Sequence, residues 1–186
     1  GTVEYRDAAF AGVVQSYPGT DYNNLVIYGG DQFLTSDLQV AGNVPIGGGA
    51  PSFGLDGYEI SVGGDWALLA DGALSANNGR VSLVGGAAAT ITGDHIGADA
   101  FYDLVIEVPG KTVQFGSGDT QEVTNLLRLR GSSTSLLVLE GTAGGWTIEP
   151  TGTRDVEFVD VTDSTNVAAP NIAAFRSNDG GRSEEH

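Results

Sequence analysis

The sequence is divided into many short runs of aliphatic and β-branched residues, and turn-forming residues separate each run from the next. Such runs occupy 24–28, 58–62 and 104–108, and turn pairs such as Asp56-Gly57 and Asn78-Gly79 stand between them. Runs of four to six residues with this composition are typical of β-strands, and glycine, asparagine and aspartate accept the positive φ of tight turns. The pattern predicts an all-β fold.

Helical patterning is almost absent from the chain. No segment combines apolar residues at a spacing of three and four with recognisable capping residues. The best candidate, 167–176, is short and contains Pro170. We therefore expect no substantial helix.

Several runs alternate strictly between apolar and polar residues, which is the pattern of a strand with one buried face. Leu127 and Leu129 should face the interior while Arg128 and Arg130 face the solvent. In a solenoid, whose coils stack their inner faces on one another, the same alternation predicts further inward residues. These are Leu25 with Ile27, Leu38 with Val40, and Ile60 with Val62.

Some of these segments recur along the chain. Segment 1–5 is similar to 79–83, and 21–27 is similar to 100–106, at offsets of about 78 residues; 37–42 is similar to 126–131 at a larger offset. A long period of this kind is typical of stacked coils that have been duplicated together. We expect one solenoid domain over 1–179, built from imperfect units at about 1–78 and 79–166, followed by a frayed tail at 180–186.

Seven motifs carry a resemblance to a known group of proteins. They are Gly-x-Val-x-Tyr at 1–5, Tyr-Asn-Asn-Leu-Val-Ile at 22–27, Leu-Gln-Val-Ala-Gly at 38–42, Ile-Ser-Val-Gly-Gly-Asp-Trp at 60–66, Gly-Arg-Val-Ser-Leu at 79–83, Phe-Tyr-Asp-Leu-Val-Ile at 101–106 and Val-Glu-Phe-Val-Asp-Val-Thr-Asp-Ser at 156–164. Together they resemble the repeats of large bacterial surface proteins of the filamentous-haemagglutinin-like or adhesin-like kind. The resemblance implies a right-handed parallel β-helix, with a β-sandwich as the alternative, and a location outside the cell or on its surface.

The charge of the chain excludes some partners. Its 24 acidic and 8 basic residues give a formal net charge of −16. Such a surface repels phosphate backbones and anionic lipids, so we expect no nucleic-acid partner. No apolar run approaches the roughly 18 residues of a membrane span, and we expect no membrane insertion. The chain begins at Gly1 rather than Met, so we expect a processed N-terminus or part of a longer protein.

The densest acidic cluster is a candidate metal site. It contains Asp155, Glu157, Asp160 and Asp163, and oxygen ligands of this type suit Ca²⁺. The alternation of the segment breaks after Phe158, which predicts a bend between two strands. The cluster is either a solvated acidic face or a Ca²⁺ site, and Ca²⁺ is the one candidate cofactor.

Groups suited to catalysis are present, but none stands out. A β-helix hydrolase needs carboxylates that converge on a groove. Asp65 with Asp71, and Asp94 with Asp99 and Asp103, are candidate sets. No nucleophile motif is recognisable, and the chain has no cysteine.

Three residues with aromatic rings, His95, Trp66 and Trp146, are candidate functional groups. His95 lies in a polar connection, where it could be a general base or a metal ligand, but a lone histidine in a loop is expected to be solvated. Trp66 and Trp146 could stack on sugars, but each follows a glycine and adjoins aliphatic residues. We expect both indoles to pack in the core.

The sequence thus predicts a structural segment, a stalk, filament or adhesin-like part of a secreted or cell-surface bacterial protein, and not an enzyme. The expected partners are neighbouring domains, copies of the same protein and surface polysaccharide. Two alternatives stay open: a carbohydrate-active β-helix enzyme or tailspike-like depolymerase, and a subunit that assembles end to end into fibres.

Overall fold

The strands of the chain pair in parallel, from one coil to the next, in three ladders. The structure is a computed structural model that describes residues 1–6, 12–14, 22–169, 172, 174–179 and 184–185. The first ladder has nine strands: β1 (Thr2–Tyr5), β3 (Asn24–Ile27), β6 (Val44–Ile46), β9 (Trp66–Leu68), β12 (Ala89–Thr92), β14 (Thr112–Phe115), β16 (Leu137–Gly141), β19 (Val159–Val161) and β22 (Asn178–Asp179).

The other two ladders form further faces of the coils, and among the described residues the smaller one is confined to residues 12–75. The second has four strands: β2 (Gly12–Val14), β4 (Asp31–Leu34), β7 (Ser52–Gly54) and β10 (Ala73–Ser75). The third has ten strands: β5 (Leu38–Val40), β8 (Glu59–Val62), β11 (Arg80–Leu83), β13 (Phe101–Ile106), β15 (Thr120–Arg130), β17 (Trp146–Pro150), β18 (Thr153–Glu157), β20 (Ser164–Asn166), β21 (Ala174–Phe175) and β23 (Glu184–Glu185). The long strand β15 pairs with β17 through its first half and with β18 through its second half.

Each strand pairs with the equivalent strand of the next coil. Trp66 pairs with Val44 on one side and with Ile91 on the other, and every pairing between the described strands is parallel. The chain is therefore a parallel β-helix of about 7 turns. This confirms the predicted fold class and excludes the β-sandwich, whose sheets are antiparallel.

The core is the column of inward side chains between the ladders. All six residues predicted to face inward in the first coils are buried: Leu25, Ile27, Leu38, Val40, Ile60 and Val62. In β15, Leu127 and Leu129 are buried, while Arg128 and Arg130 reach the surface. The predicted alternation is confirmed for these strands.

The predicted bend after the acidic strand is also present. Strand β18 ends at Glu157, and β19 begins at Val159 in a different ladder. Between them, Phe158 has a φ of 56°. One left-handed residue thus turns the chain from one face of the coil to the next, which explains the break in alternation.

The similarity between distant segments does not mark equivalent faces. Strand β1 lies in the nine-stranded ladder, whereas the similar segment 79–83 contains β11 of the ten-stranded ladder. The second pair of similar segments contains β3 of the nine-stranded ladder and β13 of the ten-stranded ladder. Only in the third pair, at 38–40 and 126–130, do both segments belong to one ladder. Strands from different faces, such as β3 and β8, bury alternate residues in the same pattern, so their sequences can be similar. The repeating unit of the structure is the single coil.

Turns and helix follow the predictions with one shift. Asp56 and Gly57 both have positive φ, but the later turn lies at Asn77 and Asn78, one residue before the predicted pair. Gly79 is required for lack of space and not for a positive φ, because a Cβ at this position would lie 2.3 Å from the Leu55 Cβ.

The one helical element among the described residues is a 3-10 turn, η1 (Gly97–Asp99). No helix in this part of the chain has the length and apolar character to cross a membrane. Of the predicted tail, β23 pairs with β20, and 180–183 and 186 lie outside the described residues.

Candidate functional site

The acidic cluster is dispersed by its partners. Asp155 lies between two arginines: its Oδ2 accepts a hydrogen bond from Arg128 Nε at 3.0 Å, and its Oδ1 accepts one from Arg130 Nη2 at 2.8 Å. The bond from Arg130, assisted by the positive charge of both arginines, holds the pKa of the Asp155 carboxyl below its ordinary value. This carboxylate is already neutralised by side chains of the neighbouring strand.

The other three members of the cluster point to different partners. Glu157 Oε1 lies 3.6 Å from Arg176 Nη1, and Asp160 Oδ1 accepts a hydrogen bond from the Asn178 side chain at 3.4 Å. Asp163 has a φ of 57° in the turn before β20. Among the described residues, no three histidine or acidic side chains are grouped as metal ligands. The structure thus does not bring the four carboxylates together, and Ca²⁺ binding stays a prediction.

The carboxylates proposed as catalytic candidates connect coils. Asp65 Oδ1 accepts the Thr90 N–H at 2.8 Å, and Asp71 Oδ1 accepts the Gly48 N–H at 2.7 Å. The backbone N–H groups of Gly48 and Ala50 hold the pKa of Asp71 below its ordinary value. Each carboxylate accepts a backbone N–H of an adjacent coil, in strand β12 for Asp65 and in the turn after β6 for Asp71.

The second candidate set behaves in the same way. Asp94 Oδ1 accepts the Thr120 N–H, and Asp99 Oδ1 accepts the Leu74 N–H, both at 2.8 Å. Asp103 is engaged instead by Arg80 Nη2 at 3.0 Å and by the Asn125 side chain at 2.7 Å. The members of each set serve separate contacts, so the structure does not bring these carboxylates together as a catalytic group.

A ladder of side-chain amides and carboxylates runs along the N-terminal ends of strands β3, β6 and β9 in the nine-stranded sheet. Asn24 Oδ1 accepts the Asn43 N–H, and Asn43 Oδ1 accepts the Asp65 N–H, each at 2.9 Å. A Cβ on Gly42 would lie 2.4 Å from Asn24 Oδ1, and one on Gly64 would lie 2.2 Å from Asn43 Oδ1. The pairs Gly-Asn at 42–43 and Gly-Asp at 64–65 were the sequence signal of this ladder.

His95 is buried, and the expectation that it is solvated is wrong. The segment that contains it lies beside β15, with an isolated parallel bridge between His95 and Gln121. Its imidazole stacks on the Phe101 ring with centroids 4.2 Å apart, and its Nε2 accepts a hydrogen bond from Trp66 Nε1 at 2.8 Å. The residues beside His95 in the sequence gave no sign of this burial, because its partners Trp66, Phe101 and Gln121 lie in other strands of the fold.

The hydrogen bonds of His95 fix its protonation state. Nε2 is an acceptor, so the ring proton is on Nδ1, which donates to the Gly93 carbonyl at 3.0 Å. Burial lowers the pKa of the imidazole to about 4, although the Gly93 carbonyl, Gln121 and Asp94 oppose this effect. His95 is thus a neutral, structural histidine at physiological pH, with neither ring nitrogen open to a substrate or metal.

Lys111 is a second buried polar group. It is the only lysine of the chain, and its side chain is fully buried. Its Nζ donates to three backbone carbonyls of one loop, those of Val84, Gly85 and Ala87, at 3.1, 3.1 and 2.7 Å. Burial lowers its pKa, and Asp65 opposes the shift. All three ammonium protons are used to hold this loop.

Both tryptophans pack in the core, as predicted. Trp66 is 0% exposed and Trp146 is 2% exposed, so neither offers a ring face to a sugar. An apolar cavity of about 160 Å³ lies beside Trp146 in the last coils. Its lining includes Leu129, Val156 and Ile172, with Ser164 and Asn166 as polar members.

Comparison with known proteins finds no relative: no protein-family model, curated protein or solved structure matches this chain. The adhesin-like resemblance therefore depends on the motifs alone, and the β-helix depends on the structure. The candidate groups point to hydrogen bonding between coils as their chemistry.

Proposed function

We propose that the chain is a non-catalytic structural segment of a secreted or cell-surface bacterial protein, in which a stiff β-helix displays the parts attached to it. The observation that supports this role is the use of its acidic side chains. Five carboxylates that could serve in a catalytic groove, Asp65, Asp71, Asp94, Asp99 and Asp103, each bind another group of the protein. They join neighbouring coils instead of converging on one surface.

Stiffness follows from the way the coils are joined. Main-chain ladders link each coil to the next on its faces. Side chains of Asn43, Asp65 and Asp94, which lie between strands, accept backbone N–H groups of the next coil. Bending the rod would open several of these bonds at once. A rod of this kind transmits position and force between its ends while its turns vary in sequence.

The first experiment tests stiffness by single-molecule energy transfer. The chain has no cysteine, so the double variant Thr2→Cys, Val167→Cys places dyes at two exposed positions in distant coils. We expect one narrow distance distribution that 1 M salt leaves unchanged. The pair Leu69→Cys, Val167→Cys is the control for a shorter span. A broad or salt-dependent distribution in both pairs would contradict a stiff rod.

The second experiment tests the absence of catalysis. The protein is incubated with a panel of bacterial and algal polysaccharides, in Ca²⁺ and in EDTA, and both retention and new reducing ends are measured. We expect no new reducing ends with any polysaccharide. Their release would favour the carbohydrate-active enzyme, and retention that requires Ca²⁺ would direct attention to Asp155, Glu157, Asp160 and Asp163.

A further inference from the structure

His95 connects three consecutive coils through hydrogen bonds of its backbone and its neutral ring. Its backbone N–H donates to the Thr120 carbonyl at 2.9 Å, and its carbonyl accepts the Glu122 N–H at 2.8 Å, which fixes the residue to the following coil. Its side chain reaches Trp66 of the preceding coil. We name Trp66, His95, Gly93 and Gln121 the His95 latch.

The latch accepts only one protonation state. Trp66 Nε1 can only donate, so the hydrogen bond at 2.8 Å requires an unprotonated Nε2. Gly93 O accepts both His95 Nδ1–H, at 3.0 Å, and the Gln121 amide, at 3.1 Å. A second ring proton would place an imidazolium N–H against the indole N–H, with two donors and no acceptor between them.

Six carboxylates lie on or beside the elements packed around the latch, and each accepts a hydrogen bond from a group other than the His95 ring. Asp94, Asp119 and Glu122 accept the backbone N–H groups of Thr120, Gly93 and Gly97. The carboxylates of Asp65 and Asp99 accept the backbone N–H groups of Thr90 and Leu74. The carboxylate of Asp103 accepts a hydrogen bond from the Arg80 side chain. Among the described residues, no carboxylate oxygen is hydrogen-bonded to the His95 ring. The negative charge of Asp94 raises the pKa of the ring, but burial outweighs this effect.

We propose that the His95 latch is an acid-sensitive joint, at which proton uptake by His95 breaks its bond to Trp66 and opens the rod locally between these coils. The joint is independent of the structural role proposed above, since it concerns the response of the rod to acid and not what the rod displays. Coils distant from the latch keep their pairing until the carboxylate connectors are themselves protonated.

The pH window follows from linkage. The pKa of His95 is about 4 in the folded chain, against an ordinary value of 6.5 that applies to the unfolded chain. Above pH 6.5 the group is neutral in both states and has no effect. As the pH falls from 6.5 towards 4, the unfolded chain binds the proton more strongly, so stability decreases. Most carboxylates stay ionised from pH 6.5 to 5, which isolates the histidine.

The test measures the urea midpoint from pH 7.5 to 4.5 in the wild type, in His95→Gln and in His186→Gln, which removes the only other histidine. We expect the midpoint of the wild type and of His186→Gln to fall below pH 6.5, and that of His95→Gln to stay level down to about pH 5. Glutamine retains an acceptor for the indole but does not titrate. The proposal would be overturned if the urea midpoint of His95→Gln fell with pH as steeply as that of the wild type.

A second measurement does not require the variant to fold. In ¹⁵N-labelled wild-type protein, NMR follows the His95 ring nitrogens and the hydrogen exchange of the Trp66 indole N–H. We expect a neutral Nδ1–H tautomer at pH 7.5, and indole exchange that accelerates with acid while the Trp146 indole N–H stays protected. Equal acceleration of both indoles, or none at Trp66 once His95 is protonated, would contradict a local joint.

Discussion

The indole of Trp146 lies flat on the ring of Phe115, with centroids 3.8 Å apart and 9° between the ring planes. Phe115 belongs to β14, and Trp146 to β17 in the following coil. The indole N–H donates to the Thr162 carbonyl of the coil after that, at 3.1 Å. One side chain therefore connects three consecutive coils through its faces and its edge.

Removing this side chain should weaken the rod strongly. We expect Trp146→Ala to lower the free energy of unfolding by about 3–5 kcal/mol, because it leaves a large cavity and removes the stack on Phe115. Urea unfolding followed by circular dichroism measures the change. Leu69→Ala, at a residue that is 45% exposed, is the control and should cost much less. Equal losses in the two variants would contradict the packing described for Trp146.

Lys111 should stabilise the fold through the hydrogen bonds of its ammonium group and not through the volume of its side chain. Lys111→Met keeps the length of the side chain but removes the donors to the carbonyls of Val84, Gly85 and Ala87. We expect the free energy of unfolding to fall by about 1–3 kcal/mol. Hydrogen exchange should also accelerate in the loop at 84–88. A variant as stable as the wild type, with unchanged exchange there, would mean that the three bonds contribute nothing.

The side-chain ladder should lose more stability when the acceptor at position 43 is removed than when it is replaced by another acceptor. Asn43→Ala removes the oxygen that accepts the Asp65 N–H, and we expect a loss of about 1 kcal/mol. Asn43→Asp keeps an acceptor at the same position and should lose less. Both variants are compared with the wild type by thermal and urea unfolding at pH 7. The ladder is not stabilising if alanine is tolerated as well as aspartate.

The ion pairs of Asp155 should stabilise the chain only where the carboxyl is ionised. Its folded pKa is depressed, so this contribution is complete above the unfolded pKa of about 3.9 and is lost as the pH falls through the folded value. We expect Asp155→Asn to cost about 0.5–1 kcal/mol at pH 7, since the arginines are partly exposed. The difference from the wild type should narrow as the pH falls below the unfolded pKa and the carboxyl becomes protonated in both states. Asp160→Asn is the control, and a gap that persists in acid would exclude an electrostatic origin.

The strands were predictable because alternation is a local property. Leu127 and Arg128 reveal their faces by their positions alone, and the break at Phe158 reveals a bend. Alternation does not reveal the ladder to which a strand belongs. Strand β1 and strand β11 obey the same alternation, so their similarity carried no information about which face each one occupies.

The buried polar groups could not be predicted for a related reason. His95 is buried by Trp66, which lies 29 residues earlier, and Lys111 is held by carbonyls that lie 24 to 27 residues earlier. Neither partner is visible from the sequence around the group. The acidic composition was equally ambiguous: it suggested solubility or Ca²⁺, whereas residues such as Asp65 and Asp94 bond to backbone groups of adjacent coils.

The burial of Lys111 has a chemical consequence. It is the only lysine in the sequence, and in the folded chain its amine is enclosed by backbone carbonyls. Acylating reagents, reducing sugars and lysine-specific proteases all need a lysine amine that they can reach. While the chain stays folded, none of them finds one, so labelling of Lys111 by an amine-reactive probe would report the opening of the rod.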